Sequence, residues 1–94
     1  MRFVWDEEKS RINRAKHKVS FETAALAFED PLALSVQDRL VEGEPRWQTL
    51  GLVGGVVVLL VAHTYEEENG EEVVRIISAR KATARERMLY EQAQ

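Results

Sequence analysis

The apolar positions of this chain change period near Pro31, and that change divides the expected fold in two. Residues 3–5 form a short apolar piece, after which Asp6 is placed to cap a helix over residues 7–17. Only Ile12 and Ala15 are apolar there, among Lys9, Arg11, Arg14 and Lys16, so this helix is expected on the surface as a contact element. Ser20 can cap a second helix in which Phe21, Ala24, Ala25 and Phe28 fall at i, i+3, i+4 and i+7. That stripe makes the second helix part of the core, and Asp30-Pro31 ends it.

Beyond Pro31 the runs 33–36, 46–53, 56–65 and 73–80 are β-rich and separated by turn residues. Gly54-Gly55 and Asn69-Gly70 supply the positive φ of tight hairpins, which predicts an antiparallel meander for the last three strands. Residues 56–62 are apolar on both alternating faces, as expected of a central strand covered on both sides. Thr83 then opens a last helix, with Glu86 three residues on completing a capping box. The pattern predicts an α+β domain: two N-terminal helices, a four-stranded, mainly antiparallel twisted sheet and a C-terminal helix. Residues 3–5 are available as a short extra strand.

Composition narrows the class. At 45% apolar and 31% charged the chain is ordinary globular material, so residues 1–94 are expected to fold as one domain. Without cysteine there is neither a disulfide framework nor a thiolate zinc site. The start lacks the apolar core of a secretory signal, and the longest apolar run is far short of the roughly 20 residues of a membrane helix. A cytoplasmic protein with no membrane contact is expected. The net charge of −3 argues against a polyanionic partner, but the charges are segregated. Residues 1–18 hold six Lys/Arg against three Asp/Glu, residues 75–94 five against two, and the middle two against eleven. If the fold joins the two ends they form a positive patch; otherwise these are solvated helix faces.

The densest chemistry lies in Arg75-Ile76-Ile77-Ser78-Ala79-Arg80-Lys81-Ala82-Thr83, with Glu86 and Tyr90 following. An apolar strand there delivers cations to its own end, at a strand-to-helix junction more rigid than a loop. Arginine's planar, permanently charged fork matches phosphate oxygens, so the segment points to an RNA-directed protein.

Several blocks together resemble one family. They are Phe3-Val4-Trp5-Asp6; Lys16-His17-Lys18-Val19-Ser20-Phe21-Glu22 with Ala24-Ala25; Phe28-Glu29-Asp30-Pro31-Leu32; Glu44-Pro45-Arg46-Trp47 with Leu50-Gly51; His63-Thr64; and the 75–83 block with Arg85-Glu86 and Tyr90. In combination the chain resembles, over nearly its full length, the BrnT-type ribonuclease toxins of bacterial type II toxin-antitoxin systems. The resemblance implies a RelE-like fold and translation inhibition through RNA cleavage. It also implies a cognate ribbon-helix-helix antitoxin (BrnA-type) that silences the toxin and represses the shared operon, so that DNA is met only through the antitoxin. The family pattern has glycine where this chain has Lys18, so a helix end that favours positive φ carries a residue for which it costs roughly 1 kcal/mol.

No cluster of Asp, Glu and His has metal-ligand spacing, so no metal or other cofactor is expected, and attack by the RNA's own 2′-hydroxyl is the simpler chemistry. Such cleavage needs a base, cations to stabilise charge growing on the phosphate, and an acid for the leaving oxygen. Arg80 and Lys81 suit the cationic role. His63 and His17 are the only imidazoles, and Glu86 or Tyr90 can substitute with shifted pKa values. The catalytic candidates are therefore Arg80, Lys81, His63 and Glu86, and the RNA-binding candidates Arg46, Lys16, His17, Arg75 and Tyr90.

Each has a plainer reading. Arg80 can simply pair with Glu86, His63 can be a hydrogen-bonded core histidine, and His17 can close helix one. Glu86 is accounted for by its capping box and Tyr90 by packing one turn later. Trp5 and Trp47 fit the core, and the glutamates at 66–68 and 71–72 fit a solvated loop. A non-enzymatic module that docks nucleic acid or the antitoxin without cleavage is the competing function. A transcription factor in its own right is weaker, because no helix-turn-helix pattern is visible.

Overall fold

The computed structural model describes all residues, Met1–Gln94. Five strands form one mixed sheet: β1 (Arg2–Val4), β2 (Leu34–Val41), β3 (Glu44–Val53), β4 (Val57–Glu68) and β5 (Glu71–Lys81). Their order is β1-β5-β4-β3-β2, with β1 parallel to β5 and every other pair antiparallel. Three α-helices complete the chain: α1 (Glu7–His17), α2 (Phe21–Ala25) and α3 (Ala84–Gln92). The expected α+β class and meander are present, and residues 2–4 do form the extra strand.

Local chemistry explains the elements. Asp6 caps α1 by accepting the Lys9 N–H (3.1 Å), and Ser20 caps α2 by accepting that of Thr23 (3.2 Å). Thr83 and Glu86 form the capping box of α3. Lys18 does stand in the left-handed region, at φ 64°, and closes α1 by donating its N–H to the Arg14 carbonyl.

Four details differ from the sequence pattern. The second helix ends at Ala25 and continues as a 3-10 turn, Leu26–Glu29, whose backbone lies directly on β3. A Cβ at Gly51 would sit 2.3 Å from the Ala27 carbonyl oxygen, so glycine is what lets the turn approach. Secondly, β2 runs on to Val41, and a third hairpin, Glu42-Gly43, joins it to β3 with φ of 52° and 81°. Glutamate disguises this turn in the sequence. Thirdly, the glutamates at 66–68 and 71–72 are not loop residues; they belong to the β4–β5 ladder, where Glu67 faces Glu72 and Glu68 faces Glu71. Arg2 offsets the repulsion by pairing with both Glu68 and Glu71. Lastly, β5 carries a bulge. Ser78 pairs with Ala62 while Ile76 pairs with His63, so Ile77 is the extra residue.

The sheet is covered on both sides, but unequally. On one face, α1, α2 and the 3-10 turn bury Phe21, Ala24, Ala27, Leu59, Val61, Val74, Ile76 and Ala79. On the other, α3 covers only one end, packing Tyr90 and Ala82 over Leu50, Val58 and Leu60. Asp30 ties the two sides together: it accepts the Leu32 and Leu52 N–H groups (2.9 and 2.8 Å) and the Tyr90 hydroxyl. The remainder of the α3 face is open.

Candidate functional site

Strand register decides what that open face presents. Gln48 pairs with Ala62 and Ala62 with Ser78, while Leu50 pairs with Leu60 and Leu60 with Arg80. Thr64 pairs with Arg75 in turn. Alternation therefore puts Arg46, Gln48, Ala62, Thr64, Arg75, Ser78 and Arg80 on the same side. The bulge at Ile77 is what allows Arg75 and Arg80, five residues apart, to share it. Of these, Arg46, Gln48, Ala62, Ser78 and Arg80 line a groove of about 240 Å³, into which Asp38 and Arg39 reach from β2.

Arg80 is the best-held cation of the groove. Its two terminal nitrogens donate to the two carboxylate oxygens of Glu86, at 2.8 and 3.0 Å, and one also reaches the Lys81 carbonyl at 3.3 Å. Glu86 accepts the Thr83 N–H as well (2.9 Å). Helix capping and guanidinium alignment are therefore one construction, leaving Arg80 Nε–H and one outer N–H for a ligand. The bond from Arg80 is the main reason the Glu86 carboxyl is held down at about 2, so near neutrality it is an anion that neither gives nor takes a proton.

Arg46 completes the cationic lining. Its guanidinium lies 3.9 Å from Glu44, and its Nε is buried without a hydrogen-bond partner. Thr64 Oγ1, on the same face, is likewise buried and unpaired. An unsatisfied buried donor costs about 1–3 kcal/mol, and in a groove it marks a place where an acceptor is wanted.

The other sequence candidates are distributed differently. His63 faces the opposite side and is fully buried, with its ring edge-on to Phe28 and Tyr65. Its Nε2 lies 2.7 Å from Thr49 Oγ1, and burial pushes its pKa down from 6.5 to about 4. The structure thus places His63 in the core, on the side of the sheet away from the groove. Tyr90, expected to bind RNA, is also buried: it donates to Asp30, and its pKa is pushed up to about 12 by that carboxylate. Alternation sends Lys81 to the side opposite Arg80, although it is exposed. Arg75 shares the open face but is paired with Glu66 at 3.2 Å. Lys16 is exposed, and His17 is half-buried on the same helical face as Ser10 and Asn13, the sheet-facing side of α1.

The two basic ends do meet. Asn13 accepts the Ala79 N–H (3.1 Å) and donates to the Ala79 carbonyl (2.8 Å), fastening α1 to β5 immediately before Arg80. The groove residues missed in the sequence are Gln48, Ser78, Asp38 and Arg39, each ordinary until register places it. No group of three or more His, Cys, Asp or Glu side chains is arranged to hold a metal ion. No helix is long and apolar enough to cross a membrane.

Three comparisons bear on this arrangement. The family model described as "Ribonuclease toxin, BrnT, of type II toxin-antitoxin system" matches residues 5–86. The 1.1 Å crystal structure of the Brucella abortus ribonuclease toxin BrnT is similar with a TM-score of 0.68 and 30% sequence identity, covering 88% of this chain and 97% of that one. Among curated proteins, none matches.

Proposed function

Because the chain belongs to the BrnT family of ribonuclease toxins of type II toxin-antitoxin systems, we infer that it is an endoribonuclease whose RNA crosses the open half of the sheet with its scissile phosphate at Arg80. The observation carrying this reading is the convergence of Arg46 and Arg80 on one uncovered face, with Arg80 aligned by Glu86. Attack of a 2′-hydroxyl on phosphorus builds charge on the non-bridging oxygens. Donors already fixed in space stabilise that charge without reorganising. Arg80, oriented from behind by Glu86, fills that role, and Arg46 supplies a second cation. Lys81 and Lys16 then act through the wider positive field where α1 meets β5, with His17 beside them.

A groove of cations favours metal-independent transesterification, so cleavage survives EDTA and leaves a cyclic phosphate or 3′-phosphate end. The sheet with its meander and layered helices supports a RelE-like reading of the architecture. A type II system implies a protein antitoxin. We take it to be a ribbon-helix-helix protein of the BrnA type, acting with the toxin in the cytoplasm and supplying the contact with DNA.

One observation favours the competing reading of a binder without chemistry: the groove contains no imidazole, since His63 faces the other side. Expression in a bacterial host beside Arg80→Ala separates the two. Growth arrest with new RNA ends that vanish in the folded variant supports the ribonuclease. Salt-dependent RNA retention with no new ends supports the binder, and a folded Arg80→Ala with full toxicity removes Arg80 from the mechanism.

A further inference from the structure

The groove continues past Arg80. Gln48 and Leu60, which line it, also line a second cavity of about 210 Å³ beneath α3, walled by Leu34, Val36, Leu50 and Leu89 with Glu86 at its edge. Phosphate-facing groove and aliphatic cleft are therefore one continuous surface. Resting on the ribonuclease reading above, we propose that this cleft holds the base of the nucleotide whose phosphate lies at Arg80, and that Gln48 at the junction reads the base's exocyclic amino group.

Size, polarity and continuity select this occupant. At about 30 Å³ per liquid water, the cleft has the room of about seven waters, the scale of one heterocyclic base and below the roughly 300 Å³ at which drug-sized pockets begin. Its walls are aliphatic, and its one charged neighbour, Glu86, is an anion already committed to Arg80 and Thr83. A phosphate is therefore turned away from the cleft and towards Arg46 and Arg80, while the flat face of a base is accepted. Leu89 and Val36 remain 51% and 54% exposed at the rim, apolar surface that a base would cover. Recognition of single-stranded RNA works in this way, with a base splayed from its neighbours and its edge read by a few polar groups.

Gln48 is the polar group at the boundary, and its orientation is set by its neighbour. Asp38 offers only carboxylate oxygens, so the Gln48 amide turns its NH₂ towards it (Nε2–Oδ2 3.5 Å). Gln48 Oε1 accepts no hydrogen bond within the fold, so a residue lining both cavities keeps a free acceptor. It complements an amino group, which cytosine carries and uracil lacks.

The test is a titration of arginine Nε–H and leucine methyl resonances with inorganic phosphate, 3′-CMP and 3′-UMP, for the wild-type chain, Gln48→Leu and Leu89→Trp. The expected result is that phosphate shifts only Arg46 and Arg80, whereas 3′-CMP also shifts the Leu50, Leu60 and Leu89 methyls. 3′-CMP should bind about fivefold more tightly than 3′-UMP, the worth of one neutral hydrogen bond. Gln48→Leu should abolish that preference. Leu89→Trp, at a half-exposed position, should fill the cleft and reduce 3′-CMP binding to that of phosphate, leaving phosphate binding unchanged. Nucleotides that shift the arginines but never the methyls overturn the base site and leave the ribonuclease reading standing. Arginines unmoved by every probe overturn both. Unmoved methyls combined with loss of antitoxin binding in Leu89→Trp assign the cleft to a protein partner and refute the proposal.

Discussion

Replacing His63 by leucine separates a core histidine from a catalytic one. The hydrogen bonds around the ring fit one neutral pattern: Ser35 donates to Thr49 Oγ1 (2.8 Å), Thr49 donates to Nε2, and Nδ1–H points to the Thr64 carbonyl (3.4 Å). A proton on Nε2 would reverse that chain inside the core. Burial accordingly holds the folded imidazole at about 4 instead of 6.5. Between those values the unfolded chain binds a proton that the folded chain refuses, so stability falls as pH is lowered from about 6.5 towards 4. Linkage with these two values gives a loss of about 2 kcal/mol between pH 7.5 and pH 5. In urea this moves the unfolding midpoint down by about 1–2 M. His63→Leu leaves Thr49 bonded to Ser35, so the variant should fold and show little of the acid-dependent fall. An equal fall in wild type and variant would refute this account of His63. A folded His63→Leu that no longer cleaves RNA would return His63 to catalysis.

Glu86→Gln should lower stability by about 1–2 kcal/mol after allowing for an Arg80 side chain that is 39% exposed, a melting temperature about 5–15 °C lower. The Glu86 carboxylate, held at about 2 instead of 4.5, contributes above pH 4.5 and loses its effect towards pH 2, so melting curves of variant and wild type should converge there. Gly51→Ala forces a Cβ against the Ala27 carbonyl and should cost about 3 kcal/mol by denaturant titration; a neutral result would mean that the 3-10 turn does not rest on β3. Lys18→Gly relieves a left-handed residue and should stabilise the domain by about 1 kcal/mol, read as a rise in melting temperature.

Caps, turns and period made most of the fold legible. Asp6, Ser20 and the Thr83–Glu86 box each act where the sequence places them, because capping is settled within four residues. The Glu42-Gly43 hairpin was hidden by a glutamate held at positive φ, and with it the full length of β2. Arg80 stood out as a cation at a strand end, but which cations accompany it depends on Ile77. The isoleucine pair in the sequence carries no sign that one of them is extra, yet that single insertion sets Arg75 and Arg80 on one face. Gln48 and Asp38 were unremarkable for the same reason: their meaning comes from neighbours 14 or more residues away, or across a hairpin.

The pairing of β1 with β5 has a consequence for how the molecule is made. Arg2 lies opposite Val73, and Asn13 is bonded to Ala79, so β1 and α1 are anchored by residues of β5 synthesised 66 or more positions after them. At about 5–20 residues per second, the 66 residues from Asn13 to Ala79 take about 3–13 s to synthesise. Arg80 follows Ala79 directly, and Glu86, which aligns it, is made six residues later still. The groove therefore assembles only once β5 and the first turn of α3 have been made, and on the ribonuclease reading any activity is delayed until then.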